Sequence, residues 1–332
     1  MTTLYEPIKD QALTWDRCFL CGITLDDSNR TEEHIFPRWL LHRFNLWNRQ
    51  LTLLNRTDIV YREMTVPSCR TCNQLHLGKV EDRIKDALDA GFDSFVALQP
   101  VVKFQWLLKI FYTVLFRELS LAFDRKQGIE AGTIFSSEIL EEFNTSHLFL
   151  QSMRFQTEFI GGPPWSLFHF KTHTYTDESL NFDFLDNLPA LSVGLRLGDT
   201  GIIGCLEDQN ATEQLKGREF ERFLAYPLHR LQFKELCVRV FYQQSRLNFV
   251  PKYITKLPEE GGPMQIVSLP LRGLSSKPLY AEHNHERYAR MLCQYAELDI
   301  EKVFYPPDQV MTWLYNDDGS IKKMDAADRL VP

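Results

Sequence analysis

Two short thiol pairs, Cys18-x-x-Cys21 and Cys69-x-x-Cys72, restrict the fold of this 332-residue chain more than any other feature. Each pair sets two sulfurs on one tight turn, and two such turns brought together supply the four soft ligands of a tetrahedral Zn²⁺ site. A site of this kind is closed: with sulfur at every vertex there is no position for water or substrate. The zinc would therefore staple the fold, and any catalysis must come from other residues. The pairs are separated by 47 residues, more than a compact zinc ribbon needs, so a functional insertion is expected between them. The remaining cysteines, Cys205, Cys237 and Cys293, stand in apolar contexts and read as core.

Charge narrows the partners. The chain carries a net charge of −7, which argues against a protein that coats nucleic acid non-specifically, because that binding relies on Lys and Arg neutralising phosphates. The interval from His34 to Val80 is the exception. It holds seven basic residues (Arg38, Arg43, Arg49, Arg56, Arg62, Arg70, Lys79) against two acidic ones (Asp58, Glu63), so any nucleic-acid contact is expected to be local to it. The opening stretch Met1 to Arg17 lacks the apolar core of a secretory signal, and seven cysteines in a chain this long are not a secreted disulfide framework. A reducing, cytoplasmic setting is expected. The longest apolar run, Phe104 to Phe116, is interrupted by Lys109 and falls short of the roughly 20 residues that span a bilayer, so no membrane association is expected.

An α+β organisation follows from the patterning. Residues 1–90 hold both thiol pairs and end in a helix with apolar positions at Leu77, Val80, Ile84 and Leu88, stopped by Gly91. They are expected to form one module, with residues 91–332 as a larger mixed domain that selects substrate or binds partners. In that domain Pro100 to Phe123 reads as a buried helix, Ser166 to Tyr175 as a strand, and Leu191 to Leu206 as a hairpin folding back at Gly198-Asp199-Thr200-Gly201. Helices are expected again over Thr212 to Phe223 and Glu286 to Leu298, and loops at Gly161-Gly162-Pro163-Pro164 and Gly261-Gly262-Pro263. His169, Lys171 and His173 alternate along the strand and read as its wet face. The His-rich segment Glu282 to Glu286 reads as a helix entrance, since histidines two apart diverge on a helix.

Between the pairs lies Thr31-Glu32-Glu33-His34-Ile35-Phe36-Pro37, and Asn73 directly follows the last cysteine. A CxxC pair, an acidic-His-Ile-x-Pro strand end, and a second CxxC followed at once by Asn resemble the HNH (His-Asn-His) endonuclease family over the first 85 or so residues. The resemblance implies a zinc-stapled ββα-metal, treble-clef-like module and metal-dependent hydrolysis of DNA, with RNA a lesser expectation. It further implies His34 as general base, and Glu33 and Asn73 as oxygen ligands of a catalytic Mg²⁺ or Mn²⁺. Related modules occur in bacterial restriction and anti-phage defence, and that is the expected context. This chain has Glu33 where the family usually has Asp, and no counterpart of the middle asparagine that orients the histidine. Asn48 and Asn55 lie farther upstream and would need a longer loop.

The chemistry agrees with these roles. A neutral imidazole suits deprotonation of water, and oxygen donors suit Mg²⁺ or Mn²⁺ with positions left for phosphate. His76 and Glu81, at offsets of +3 and +8 from Asn73 on the expected helix, are further candidate metal ligands; Glu81 could instead pair with Lys85 one turn on. Two other readings stay open. One is a zinc module that grips nucleic acid without cutting it. The other is an interaction protein whose zinc unit caps a body that binds a regulatory protein or a second copy of the chain.

Overall fold

The computed structural model describes residues 4–6, 14–53, 55–119, 143–257 and 262–327. Three expectations lie partly outside them: the opening stretch at residues 1–3 and 7–13, the long helix at residues 120–123, and the second glycine–proline loop at Gly261. The chain is α+β and divides into two compact units, one made of Met1–Ala90, Ala97–Glu158 and Thr255–Ile266, the other of Gly91–Val96, Phe159–Ile254 and Val267–Pro332. Among the described residues no helix is long and apolar enough to cross a membrane.

In the first unit, strand β1 (Arg30–His34) pairs antiparallel with β4 (Thr65–Cys69), in a register running from Arg30 opposite Cys69 to His34 opposite Thr65. All of β4 is buried, whereas β1 alternates, so Glu33 points inward between two partly open neighbours. The chain between these strands is an excursion. Pro37 ends β1, its carbonyl receives the N–H groups of Leu40 and Leu41, and α1 (Arg38–Arg43) follows. A short hairpin of β2 (Gln50–Thr52) and β3 (Asp58–Val60) then returns the chain to β4. Directly after Cys72 the backbone winds as π-helix to Leu77 and continues as α2 (Gly78–Asp89), burying Val80, Ile84 and Ala87 and stopping at Ala90 before Gly91, whose φ is +99°. Strands β1 and β4 with α2 make a β-β-α arrangement.

Helix α3 (Pro100–Leu119) is buried around most of its circumference, with Phe104, Trp106, Leu107, Ile110 and Phe111 all at zero exposure. An apolar surface on every side demands cover on every side. Helix α3 finds it in the first unit, with α2 and β4, as does α4 (Asn144–Leu150). The compact unit around the thiol pairs thus draws on residues beyond 90.

The second unit is built on a four-stranded antiparallel sheet: β5 (Ser166–Lys171), β6 (Phe182–Asn187), β7 (Ser192–Leu197) and β8 (Thr200–Cys205), ordered β5-β8-β7-β6. Strands β7 and β8 form the expected hairpin, turning at Gly198-Asp199. Strand β5 ends at Lys171, so His173 lies past it and its ring donates to the carbonyl of Met324. Helix α5 (Ala211–Glu221) packs near β5, and α6 (Arg230–Gln244) crosses β7 and β8. Two glycines allow that approach: a Cβ on Gly194 would lie 2.5 Å from Cys237 Sγ, and one on Gly201 2.5 Å from the Phe233 ring. Cys205 and Cys237 are core, as expected. Helix α7 (His285–Ala296) packs on α6 through Tyr288 and Leu292.

Candidate functional site

The four thiols converge. The sulfurs of Cys18, Cys21, Cys69 and Cys72 all lie within 4.8 Å of one another, with Cys21 Sγ and Cys69 Sγ 3.7 Å apart. A tetrahedron of sulfurs at the usual Zn–S length of 2.3 Å has edges of about 3.8 Å, so the cluster fits zinc; the same spacing is far too long for a disulfide. The first turn closes through Gly22 N–H to the Cys18 carbonyl (2.8 Å), and Gly22 sits at φ +73° with Tyr5 stacked against it. In the second turn the Cys72 N–H points at Cys69 Sγ (3.4 Å).

A further shell holds the first turn from behind. His147 Nε2 donates to the Phe19 carbonyl (2.9 Å) and Gln151 Nε2 to the Leu20 carbonyl (2.9 Å), both side chains being almost fully buried. Burial pushes His147 down to about 4, so it stays neutral there.

Beside the four-thiol cluster, β1, the start of α1 and the π-wound turn border a cleft of about 390 Å³ lined by Glu33, His34, Arg38, Asn73 and Glu81. Four residues singled out from sequence thus share one wall system. His34, at the end of β1, is half-buried, and its pKa is held below the ordinary histidine value by burial, then by the Arg38 and Lys109 charges. Among the described residues no group hydrogen-bonds its ring. Its neighbour is Trp47, whose ring lies 6.3 Å away at 25° and stacks in turn on His42 (4.8 Å, 12°). Asn48 and Asn55 are engaged elsewhere, with Arg62 and with the Thr57 N–H.

Asn73 donates its amide nitrogen to the Glu32 carbonyl (3.2 Å) and the Thr31 hydroxyl (3.3 Å). A carbonyl can only accept, so these bonds fix the amide orientation and leave Asn73 Oδ1 as the uncommitted end.

The least expected member is Lys109. Its ammonium, at 1% exposure for the residue, sits 2.6 Å from Glu33 Oε1 and 2.9 Å from Glu81 Oε1, and donates to the carbonyls of His34 (2.5 Å) and Ile35 (3.0 Å). Burial by itself would depress this lysine, but the two carboxylates outweigh it and hold the ammonium above its ordinary value. Glu81 rises to about 7, through burial and the adjacent Glu33 against the pull of Lys109. The two carboxyl groups also lie within hydrogen-bonding reach of each other, which adds to the rise at Glu81. The carboxylates of Glu33 and Glu81 and Asn73 Oδ1 are the hard oxygen donors that border the cleft, and they fit Mg²⁺ or Mn²⁺ in type.

Two expectations are corrected. His76 does not join the cleft: its Nδ1 donates to the Met153 carbonyl (3.1 Å). The wider i→i+5 winding from Cys72 to Leu77 turns each residue through a smaller angle, so a side chain three positions on falls further short of a full turn and off the face of Asn73. Glu81 does not pair with Lys85, which bonds Asp89 instead (2.8 Å). Of the basic interval, Arg38 borders the cleft, while Arg43 is paired with Asp89 and Arg62 with Glu63 and Asn48. Set against known proteins, the chain matches no family model, no curated protein and no solved structure.

Proposed function

We propose that the first unit is a metal-dependent phosphodiesterase of the HNH type, acting on DNA, with His34 as general base. The observation that carries this reading is the shared cleft: an imidazole held neutral, an amide oxygen and two carboxylates line one opening beside a four-thiol zinc cluster. Glu33, Glu81 and Asn73 Oδ1 would hold a Mg²⁺ or Mn²⁺ ion, which when bound supplies charge stabilisation for the departing oxygen. The chain's own residues do the rest. His34 accepts the proton of the attacking water at its uncommitted ring nitrogen, and its depressed pKa keeps it unprotonated at neutral pH. Arg38, exposed at the rim, offers a guanidinium to the phosphate. Trp47 restrains the His34 ring by stacking, since no residue among the described ones hydrogen-bonds that ring. A role in bacterial anti-phage defence or restriction is the context that this chemistry suits.

The test is nicking of supercoiled plasmid by the zinc-loaded chain in Mn²⁺ or Mg²⁺. Wild type should convert supercoiled to open-circular DNA, and His34→Ala should slow conversion by about 10²- to 10⁴-fold. Equal rates for the two proteins, or no metal-dependent cleavage by wild type, would sink the reading. That no group among the described residues hydrogen-bonds the His34 ring favours one second reading, a zinc module that binds nucleic acid without cutting it. Retention of labelled DNA by both proteins with cleavage by neither would establish that instead.

A further inference from the structure

The second unit contains a cavity of about 330 Å³ walled by α5, α6, the segment entering α7, and α7 itself. Cations dominate its polar lining, and their partners differ in an informative way. Lys216 is taken by Glu219 (2.7 Å), and Arg239 by the fully buried Glu235 (2.9 Å). Arg246 donates to the Ala281 carbonyl (2.5 and 2.9 Å) and to Gln243 Oε1 (3.2 Å) and lies over the Tyr242 ring at 5.6 Å, so its charge has no carboxylate partner among the described residues. The remaining acid of the wall, Asp308, is exposed.

Unspent hydrogen-bonding capacity points the same way. Because Gln243 Oε1 faces Arg246, its Nε2 is the other end, and that nitrogen makes no well-formed hydrogen bond among the described residues, with the Tyr280 hydroxyl as a neighbour, although Gln243 is only 3% exposed. The hydroxyl of Tyr288, a residue 6% exposed, is likewise unpartnered. His283 and His285 add two imidazoles whose rings meet edge to face at 4.5 Å, with His283 also edge-on to Tyr242 at 5.1 Å. The groups with hydrogen-bonding capacity left are thus mostly donors: a guanidinium without a carboxylate partner, an amide, a phenol and ring nitrogens. Native proteins rarely leave buried donors unpaired, so the complement of this wall is rich in acceptors and anionic.

We propose that this cavity binds a phosphorylated small molecule, with Arg246, Gln243 and Tyr288 on the phosphate and His283 and His285 closing over it. The donors belong to two helices and the segment between them, which suits the three terminal oxygens of a tetrahedral phosphate better than the two in-plane oxygens of a carboxylate. The cavity also lies at the lower end of small-molecule pockets, leaving room for an organic body against Tyr242. The site is independent of the nuclease reading, since every residue in it belongs to the second unit.

Calorimetric titration of the full zinc-loaded chain with phenyl phosphate and with benzoate tests the proposal, the two probes sharing a ring and differing in the anion. Phenyl phosphate should bind saturably at a single site, with benzoate about tenfold weaker or worse. Arg246→Gln should weaken phenyl phosphate by about tenfold or more, Tyr288→Phe by severalfold, and His34→Ala not at all. Should Arg246→Gln disturb the Ala281 contact and fail to fold, Tyr288→Phe, which removes only a hydroxyl, carries the comparison. The proposal is overturned by any of three results: no saturable binding to wild type, benzoate binding as tightly, or unchanged affinity in Tyr288→Phe at unchanged melting temperature. Loss of binding in His34→Ala would equally overturn it, by locating the phosphate in the other unit.

Discussion

Replacing Lys109 with methionine keeps the length of the side chain and removes its charge, which isolates what the buried ammonium does. In the wild type it neutralises one of two carboxylates that share a buried corner and satisfies the carbonyls of His34 and Ile35. Its loss leaves Glu33 and Glu81 without a cation and two carbonyls without their donor. Breaking a buried ion pair by deleting one partner costs about 3–5 kcal/mol, which for a unit of this size corresponds to a fall in melting temperature of roughly 6–20 °C. The pH dependence gives the sharper test. The Lys109 pKa is raised in the fold, so its own contribution is fully present below the ordinary lysine value of 10.5, hence throughout pH 5–8, and is lost as pH rises from there through its folded value. Glu81 is a carboxylate raised from 4.5 to about 7, so its contribution is fullest below 4.5 and is lost as pH rises through 7. Without the ammonium both carboxylates should rise further, so the penalty should be largest near pH 8 and shrink toward pH 5, where protonation relieves the repulsion. Denaturant titrations of wild type and Lys109→Met at pH 5 and pH 8 measure this. A penalty below about 1 kcal/mol, or one independent of pH, would refute the account of a buried, engaged ammonium.

Other consequences can be checked separately. Chelation of the zinc should release a single ion per chain, detected with a metallochromic indicator, and unfold the first unit while the core of the second persists as a later transition. Gly22→Ala should destabilise the first unit by about 1–3 kcal/mol in thermal melts, because it forces a side chain onto φ +73° and against the Tyr5 ring. In the plasmid assay, the acidic limb of kcat/KM should fall below the ordinary histidine value of 6.5, and Arg38→Gln should move it back up; a limb above 6.5 in wild type would count against His34 as the base. Trp47→Ala should lower the nicking rate more than Trp47→Phe, a ranking that fails if the ring does not restrain His34.

Local patterns were read well from the sequence, and contacts between distant segments were not. Turn chemistry and spacing are written within a few residues, so the thiol pairs, the strand ending at His34, the helix after Cys72 and the Gly198-Asp199 hairpin were all legible. Lys109 was visible only as an interruption of an apolar run, because its partners stand 28 and 76 positions away and nothing local marks a cation destined for burial. His76 was misplaced because α-helical offsets do not hold in a π-wound turn. The pair His283 and His285 was set aside on helix geometry, yet α7 begins only at His285, with Asn284 as its cap, so helical divergence does not apply to His283.

The buried ammonium also ties together two properties of the cleft that might otherwise look unrelated. As a positive charge near His34 it lowers the imidazole pKa, and as the shared partner of Glu33 and Glu81 it lets two carboxylates stand side by side in a dry corner. With both acids ionised the three charges sum to a single negative one. A divalent cation added to that set leaves one net positive charge, which matches the single negative charge of a phosphodiester. An all-acidic ligand set without Lys109 would instead hold the cation at near-neutral charge and offer the diester little attraction. The lysine that supplies this balance comes from α3, in the same compact unit as the thiol pairs, so the electrostatics of the cleft are set by a helix that contributes no residue to its wall.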